Sequence, residues 1–527
     1  MAVTTQTSTS LARAITGIGD DDARKAVLTQ VHPRVQELRP SWAVLADAYE
    51  GDGGFLTGEY LDQFPAEMTA DFDKRKAQVR YHNFLETLID LYVRHCCSQG
   101  VSRATTNAEL QAWWDDVDGT GTSIQDFMRG VAAHALNLGH CAVLVDKTPD
   151  APLGPSKADE RARVIATRFP ATSLLDWQLT DRQDLAAVKL LEAAPEGALT
   201  AEPTDDAAAQ YALWNQTEFA RFDQDGALVG EDGTHGLGLV PVAILRPKPS
   251  TKYAVVGRPL VRADVIKALL NRASEEDHVL RAQGFSLLTV AVPHDAGDDV
   301  VEATLAAVAN NFGTTRALVV RGTVDYASPD MAIPAAIREN MQFLIRELFR
   351  AAHVPYEQDS RDAESAESRR LKNAELNEML RALAQALTAC ELRMARFWCG
   401  WSSNTPDEAE RLFKAAAVSV QYPTEFFTHE LIDDLQAWGE SVKFGLGETF
   451  EKRLKKRAVR RIEPDMPAPD LQKVDAEIDA LPTAQQLKEA EAQKRAQEMR
   501  DRFAPALAAA GTPPPTPAAP PEGQAAV

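Results

Sequence analysis

Three groups of residues in this 527-residue chain are of types that could do chemistry: an acidic loop, a scatter of thiols and imidazoles, and one basic run. The loop reads "DVDGTGTSIQDF" from Asp116, which places Asp116, Asp118 and Gly121 where a calcium-binding loop has its first, third and sixth residues. Phe127 stands where that loop needs a bidentate Glu. The stretch therefore reads as an Asp/Gly turn whose Ser123 caps the helix that follows. His95, Cys96, Cys97, His140 and Cys141 lack the Cys-x-x-Cys spacing of zinc sites and sit in apolar stretches, so they read as core. No phosphate-binding Gly-rich loop, His-Glu-x-x-His or Gly-x-Ser-x-Gly pattern occurs. No catalytic residue, cofactor or metal ligand is assigned, and the chain is not expected to be an enzyme.

The basic run is "EKRLKKRAVRRI", Glu451 to Ile462. Lys452, Arg453, Lys455, Lys456, Arg457, Arg460 and Arg461 make seven cations there, in a chain of net charge -21. A solvated helix face pairing with neighbouring acids is one reading. Salt-sensitive contact with nucleic-acid phosphates is the other. With no interleaved aromatics, base stacking on a single strand is not supported.

Those residues must be held by a large mixed framework. Periodicity predicts a helix from Lys76 to Gln99, with Phe84, Leu88 and Tyr92 in one apolar row and Leu85, Ile89 and Val93 in the next. Patchy helix is expected from Asp22 to Tyr49, interrupted at Pro33 and Pro40, and "YEGDGGFLTG" reads as a turn. A helix capped by Ser123 stops at Gly139 and feeds a buried strand, "CAVLVD". Residues 160–246 carry short β-rich pieces that imply a mixed or antiparallel sheet. Helix follows from Pro259 to Gln283, then strand "FSLLTVAVP", helix 298–310, strand "RALVVRG" and helix 331–353. A polar helix is expected near 484–505, and the Pro/Ala-rich end is expected to be disordered.

From His353 the chain is loose and acidic, then strongly helical. Leu376, Leu380, Leu383, Leu387, Cys390, Met394, Phe397 and Trp401 alternate steps of four and three, a 3.5-residue seam. A helix from Ser365 to Trp401 would be ~55 Å long. Such a seam suits either a coiled coil between copies or, given Cys390 and the cluster Phe397, Trp398 and Trp401, a heterogeneous core.

Composition sets the outer limits. Apolar content of 45% with 25% charged residues is that of a globular protein, and the length calls for two to four lobes. Strong acidity argues against a surface built to grip nucleic acid or anionic membrane, though DNA could pass such a surface. Five cysteines with no disulfide-like spacing suggest a reducing compartment. No apolar run reaches membrane-spanning length, and no secretory signal is expected at the N-terminus.

The order of the pieces from about residue 40 to 465 resembles the tailed-bacteriophage (or prophage) portal protein family. The resemblance lies in the sequence of "YEG", "YHNFLETLIDLYVRHCCSQGVS", "WWDDVDGTGTSIQDFMRGVAAHALNLGHCAVLVDKTPD", "GLVPVAILRP" and "RPLVRADVIKALLNRASEEDHVLRAQGF", the last with Asn271 and Ser274. One departure is Ser365-Ala366-Glu367-Ser368, which lacks the Gly of a Ser-Gly-x-Ala-like junction seen in many members. The resemblance implies an α+β portal fold. It would have a flexible arm (1–21), a wing of helices and β-rich structure (22–258), stem helices (259–284 and 331–354) around an αβ clip (285–330), a tunnel loop (355–370), a long wing helix (371–404), an upper wing or crown-like part (405–482), a polar helix (483–510) and a disordered tail (511–527).

It also implies a homo-oligomeric ring, typically a dodecamer, conducting double-stranded DNA at one capsid vertex. Such a ring serves head assembly, genome packaging, head–tail joining and DNA ejection. Its implied partners are the terminase large subunit, a head–tail adaptor, and capsid and scaffold proteins, with no membrane. It would be built in the host cytoplasm and reside in the virion. Under that reading Glu357, Asp359, Arg361, Asp362, Glu364, Glu367, Arg369 and Arg370 belong to the channel loop. Arg272, Glu275, Glu276, Arg338 and Arg346 would line the stem. A coiled-coil scaffold or adaptor is the structural alternative, and a divergent metal-dependent hydrolase the enzymatic one.

Overall fold

The computed structural model describes residues 15, 18, 20–65, 67–98, 101–147, 163–192, 210–230, 232–251, 254–283, 288–311, 317–321, 332–356, 366–423, 426, 448–462, 468–481, 490 and 492–499. The fold is mixed α+β, as expected, and the chain forms two units, 1–426 and 427–527.

The first unit opens with helices α1 (Asp21–Thr29) and α2 (Pro33–Glu50), the single turn α3 (Gly54–Thr57), α4 (Thr69–Lys76) and α5 (Phe84–Ser98). The break expected at Pro33 is present, as residues 30–32 between α1 and α2, whereas Pro40 does not interrupt α2. Pro33 stands in its first turn, where no backbone donor is needed, and the helix continues through Pro40. The helix expected from Lys76 starts eight residues later, because Asn83 caps it: its Oδ1 accepts from the Glu86 amide at 3.0 Å and its Nδ2 donates to Glu86 at 3.0 Å. Within the arm expected to be flexible, Ile15 is buried and joins Leu28, Leu175, Tyr211, Ala220 and Phe222 in one apolar cluster. Residues 1–14 lie outside the described residues.

Strand β1 (Ser102–Ala104), α6 (Ala108–Asp115) and α7 (Ile124–Leu138) lead to β2 (Cys141–Lys147). Ser123 caps α7, accepting from the Asp126 amide at 3.2 Å. Gly139 ends it at φ 98°, where a Cβ would meet the Gly257 carbonyl at 2.6 Å, so only glycine fits. β2 is the centre of an antiparallel sheet between β3 (Val164–Pro170) and β9 (Val242–Leu245). A second, five-stranded antiparallel meander comprises β4 (Leu174–Leu179), β5 (Leu185–Glu192), β6 (Gln210–Asn215), β7 (Glu218–Phe222) and β8 (Gly233–Thr234). Of these β4, like β1, was not anticipated from the sequence. Lys189 on β5 is buried and donates to the Val27 carbonyl at 3.1 Å and to that of Gln30, closing the end of α1.

After β9 come α8 (Ala263–Gln283), β10 (Leu288–Val292), α9 (Asp298–Asn311), β11 (Ala317–Arg321), α10 (Ala332–Ala351), the 36-residue α11 (Ala366–Trp401), α12 (Pro406–Ala415) and β12 (Ser419–Gln421), which pairs with β1. The second unit contains α13 (Glu448–Ile462) and α14 (Ala468–Ala480). Residues 492–499 are helical and exposed. The Pro/Ala-rich end lies outside the described residues.

The seam of α11 faces inward. Leu376, Leu380, Leu383, Leu387, Cys390, Met394 and Phe397 are buried against α5, β2, β9 and β12 of the same chain. The Trp401 indole donates to the Val145 carbonyl at 2.8 Å. That seam is thus a core element and is not free for a coiled coil with another copy.

Glu391, one residue off the seam, has no exposed side-chain surface and takes Arg103 at 2.5 Å and Tyr422 at 2.9 Å. Arg103 also donates to Gln125 at 2.7 Å. Burial, reinforced by the Glu391 charge, pushes the Tyr422 phenol well above its ordinary value, so it stays a donor. Replacing Glu391 by Ala strands a buried guanidinium. It should cost about 3–5 kcal/mol, read from urea unfolding midpoints at pH 7.

His140 is fully buried beside Trp42, whose ring lies edge-on at 5.6 Å. Burial, with Arg246 nearby, pushes its pKa down from 6.5 to about 3. Below pH 6.5 the unfolded chain gains a proton that the folded one refuses, so stability falls with pH by roughly 1 kcal/mol per unit. His140→Leu should flatten the pH 7 to 5 unfolding profile by about that amount.

Candidate functional site

The helical hairpin α8/α10, with its β10–α9–β11 insertion, combines the candidate stem residues with the largest exposed apolar side chains of α10. The insertion is a parallel βαβ unit, Leu288 pairing with Ala317 and Val292 with Arg321. A helix between two strands is what allows them to run parallel.

The structure brings some of the candidate stem residues together. Arg338 on α10 reaches Glu276 on α8 at 2.6 Å, a cross-hairpin ion pair. Arg272 pairs with Glu275 one turn along the same helix. Arg346 is exposed and donates to the Gln342 carbonyl of its own helix at 3.3 Å. An open groove of about 480 Å³, lined by Arg272, Ala332, Ile333, Ala336, Ile337 and Asn340, runs beside the hairpin contact.

The opposite face of α8 is gripped by residues 60–80, a clamp whose role the sequence did not suggest. Asn271 accepts from the Asp62 amide at 2.8 Å and donates to the Tyr60 carbonyl at 3.2 Å. Arg75 is its hub. It donates to Glu67 at 2.9 and 2.8 Å, to the Asp62 carbonyl at 2.6 Å and to Ser274 at 3.1 Å. Its guanidinium lies 4.0 Å from the Phe64 ring centroid and 5.2 Å from that of Phe72. Hydrogen bonds from Arg75 hold the Glu67 carboxyl below its ordinary range. The one signal in the sequence was chemical: an Arg three residues from one aromatic, with Asn271 and Ser274 as polar residues on an otherwise inward row.

The acidic loop is anchored at both ends. Tyr92 donates to the Ala352 carbonyl at 2.5 Å, the Phe349 and Tyr356 rings meet at a tilt with centroids 5.0 Å apart, and His353 at φ 53° faces Glu375 across 3.1 Å. Glu357, Asp359, Arg361, Asp362 and Glu364 lie outside the described residues. The backbone places Glu367, Arg369 and Arg370 in the first turns of α11, so helix begins inside the segment expected to be loop.

The basic run on α13 is partly committed within its own unit. Lys456 pairs with Asp479 at 2.8 Å and Lys452 donates to the Asp479 carbonyl at 2.7 Å. Arg453 is exposed and Lys455 half-buried. The side chains of Arg457, Arg460 and Arg461 lie outside the description. Of the described part of the run, Lys456 thus pairs with a neighbouring acid.

At the acidic loop 116–127, Asp118 accepts from the Thr120 amide at 2.9 Å and Asp116 from the Gly121 amide at 2.9 Å, the turn that the sequence predicted. Cys96, Cys97, Cys141, Cys390 and Cys399 are buried free thiols, and burial pushes Cys97 up to about 11. Among the described residues no group of three His, Cys, Asp or Glu is placed to hold a metal, and no helix is long and apolar enough to cross a membrane.

No family model and no curated protein matches the chain. Solved structures similar to it include a chain from the neck of an empty gene transfer agent particle computed with C6 symmetry. That likeness has 13% identity over 70% of this chain and 88% of that one, at a TM-score of 0.36. A chain of the virion of a native gene transfer agent particle is similar at 12% identity over 79% of this chain and 98% of that one, at a TM-score of 0.35.

Arg75→Met should release α8 locally. Amide exchange over Asn271 to Ser274 is expected to accelerate about a hundredfold at pH 7, since a buried carboxylate loses its partner at ~3 kcal/mol. Because Glu67 is held low, its contribution is present above pH 4.5 and is lost as the pH falls through its folded value. Glu67→Gln should remove that part of the acid limb in urea titrations.

Proposed function

We propose that the chain is a portal subunit: one member of a ring, of roughly twelve copies, that conducts double-stranded DNA at a single capsid vertex. The observation that carries this reading is the order of elements in the first unit. A β-rich body leads into a two-helix hairpin with a βαβ unit inserted between its helices. An acidic segment follows, and then a 36-residue helix returns into the same body. The sequence resemblance assigns these parts as wing, stem, clip, tunnel loop and wing helix.

The chemistry fits a conduit. DNA that must slide cannot be held tightly, and the acidic segment from Glu357 to Glu367 repels phosphate. Arg346 on α10, without a carboxylate partner among the described residues, is suited to weak, salt-screened phosphate contacts. In this reading the βαβ unit docks the terminase motor during packaging and an adaptor afterwards, while the body contacts capsid and scaffold proteins. The chain does no catalysis of its own. It is assembled in the host cytoplasm and resides in the virion. The coiled-coil alternative is weakened by the burial of the α11 seam inside its own chain.

Electron microscopy and native mass spectrometry of the tag-free protein test the reading together. Rings of ~12 subunits with a central hole are expected. A clean dimer or trimer at high concentration and low salt would overturn it.

A further inference from the structure

Between β9 and α8 the chain reads "RPKPSTKYAVVGRPLVR", residues 246–262. Arg246, Lys248, Lys252, Arg258 and Arg262 make five cations there with no acid among them, in a chain of net charge -21. The two arms of this segment pair. The Ser250 amide donates to the Val256 carbonyl at 3.2 Å and the Arg258 amide to the Lys248 carbonyl at 2.8 Å, with Pro249 bridged to Gly257. Its base is seated on the body. Gly257 lies against Gly139, with no room for a Cβ on either, and the Leu260 amide donates to the Leu136 carbonyl at 2.8 Å.

Two of these cations are held where water reaches them only in part. Arg246 and Lys248 are half-buried, while Arg258 is exposed. Arg246 follows directly on β9, and α11, which packs on that strand, brings Arg393 towards it. Burial lowers the Arg246 pKa and the Arg393 charge lowers it further; burial and Arg258 do the same to Lys248. Arg246, Lys248, Arg258 and Arg393 have no carboxylate partner among the described residues. The positions three and four residues either side of Arg393 are Ala389, Cys390, Arg396 and Phe397, so its own helix offers no acid. The corner holds one more unmet group. Cys141 pairs with Leu245, which sets His140 next to Arg246 across the ladder. His140 is fully buried, and neither ring nitrogen has a hydrogen-bond partner among the described residues.

Like charges gathered in a partly dry corner without an acid are costly unless an anion joins them. We propose that Arg246 and Arg393 form the head of a site for a phosphate group, continued along the hairpin by Lys248 and Arg258. Two guanidinium forks suit a tetrahedral oxyanion approached from two sides, and their paired charge suits a dianion. The neutral His140 imidazole has an N–H to spare at the buried end. Bound there, the anion ties the end of β9, and with it the segment leading into α8, to the long helix α11. A phosphate of a DNA backbone and a free phosphate ion present the same chemistry, and the test separates them. The proposal does not rest on the ring reading, since every group it names belongs to one chain.

The full-length protein is melted at constant ionic strength while sodium chloride is exchanged for inorganic phosphate. The wild-type melting temperature should rise with phosphate, as it does for any ligand bound only by the folded state. Arg246→Gln and Arg393→Gln should each weaken the apparent phosphate affinity at least tenfold. Arg182→Gln, in the β4–β5 turn, should leave it unchanged. In phosphate-free buffer Arg393→Gln should melt no lower than the wild type, because it removes a like charge, so that lost binding is not lost fold. In a second arm a short labelled DNA duplex is titrated onto the same proteins, with phosphate as competitor. A tenfold loss of duplex affinity in the same two variants assigns the site to backbone phosphate; a response to inorganic phosphate alone assigns it to the free ion. If phosphate shifts nothing and no duplex binds, or if whatever binding is seen survives both substitutions, the inference is overturned. Neither readout needs a ring, so its failure leaves the portal reading to its own test.

Discussion

Glu391 has no water to solvate it, and a buried carboxylate is tolerable only when its charge and lone pairs are met by protein. Arg103 from β1, Tyr422 just beyond β12 and, through Arg103, Gln125 of α7 supply that match. Four segments separated by up to 319 residues are thereby fixed at one point. The long helix can then lay its apolar seam on α5, β2 and β9, because the charge next to the seam has been neutralised where it stands. Without that network the 36-residue helix would carry a stranded charge into the core, and the body that supports the hairpin would lose its main strut.

The hairpin depends on a second buried pair of the same kind. Arg75 and Glu67 close on each other, and the remaining guanidinium donors reach Asp62 and Ser274, so α8 is held by polar geometry along one row. Its other row is held by α10. A helix fixed on two opposite faces is stiff, which suits an element that carries a βαβ unit between its end and the start of its partner.

Both devices are electrostatic, yet their consequences are mechanical. The residues flanking the acidic segment are held separately, Tyr92 donating to the Ala352 carbonyl on one side and His353 lying beside Glu375 of α11 on the other. The segment itself contributes charge; the flanking helices decide where that charge is presented.

Much of the framework was legible in the residues. The 3.5-residue seam of α11, the Ser123 cap, the Gly139 stop and the βαβ insertion are local signals, since periodicity, caps and turn residues act within a few positions of where they are written. The 3.5-residue repeat also left open whether the seam met another copy or the same chain, because periodicity records that a face is apolar and not what covers it. The start of α5 was misplaced because a good helix-forming run from Lys76 outweighed a cap at Asn83. Strand β1 was missed because it is three residues long and defined by a distant partner, β12; β4 pairs with the next strand, β5, and was missed because its sequence lacks a clean alternation. Nothing in the sequence set Arg75 and Glu391 apart from other charged residues. Only the tertiary structure could decide otherwise, since the worth of a charge depends on the dielectric and the partners around it, and those come from residues far away in the chain. By itself the sequence determined the long helices, the strongest strands and which faces must be covered. The fold alone decided where the shorter elements lie and which charges are buried and paired.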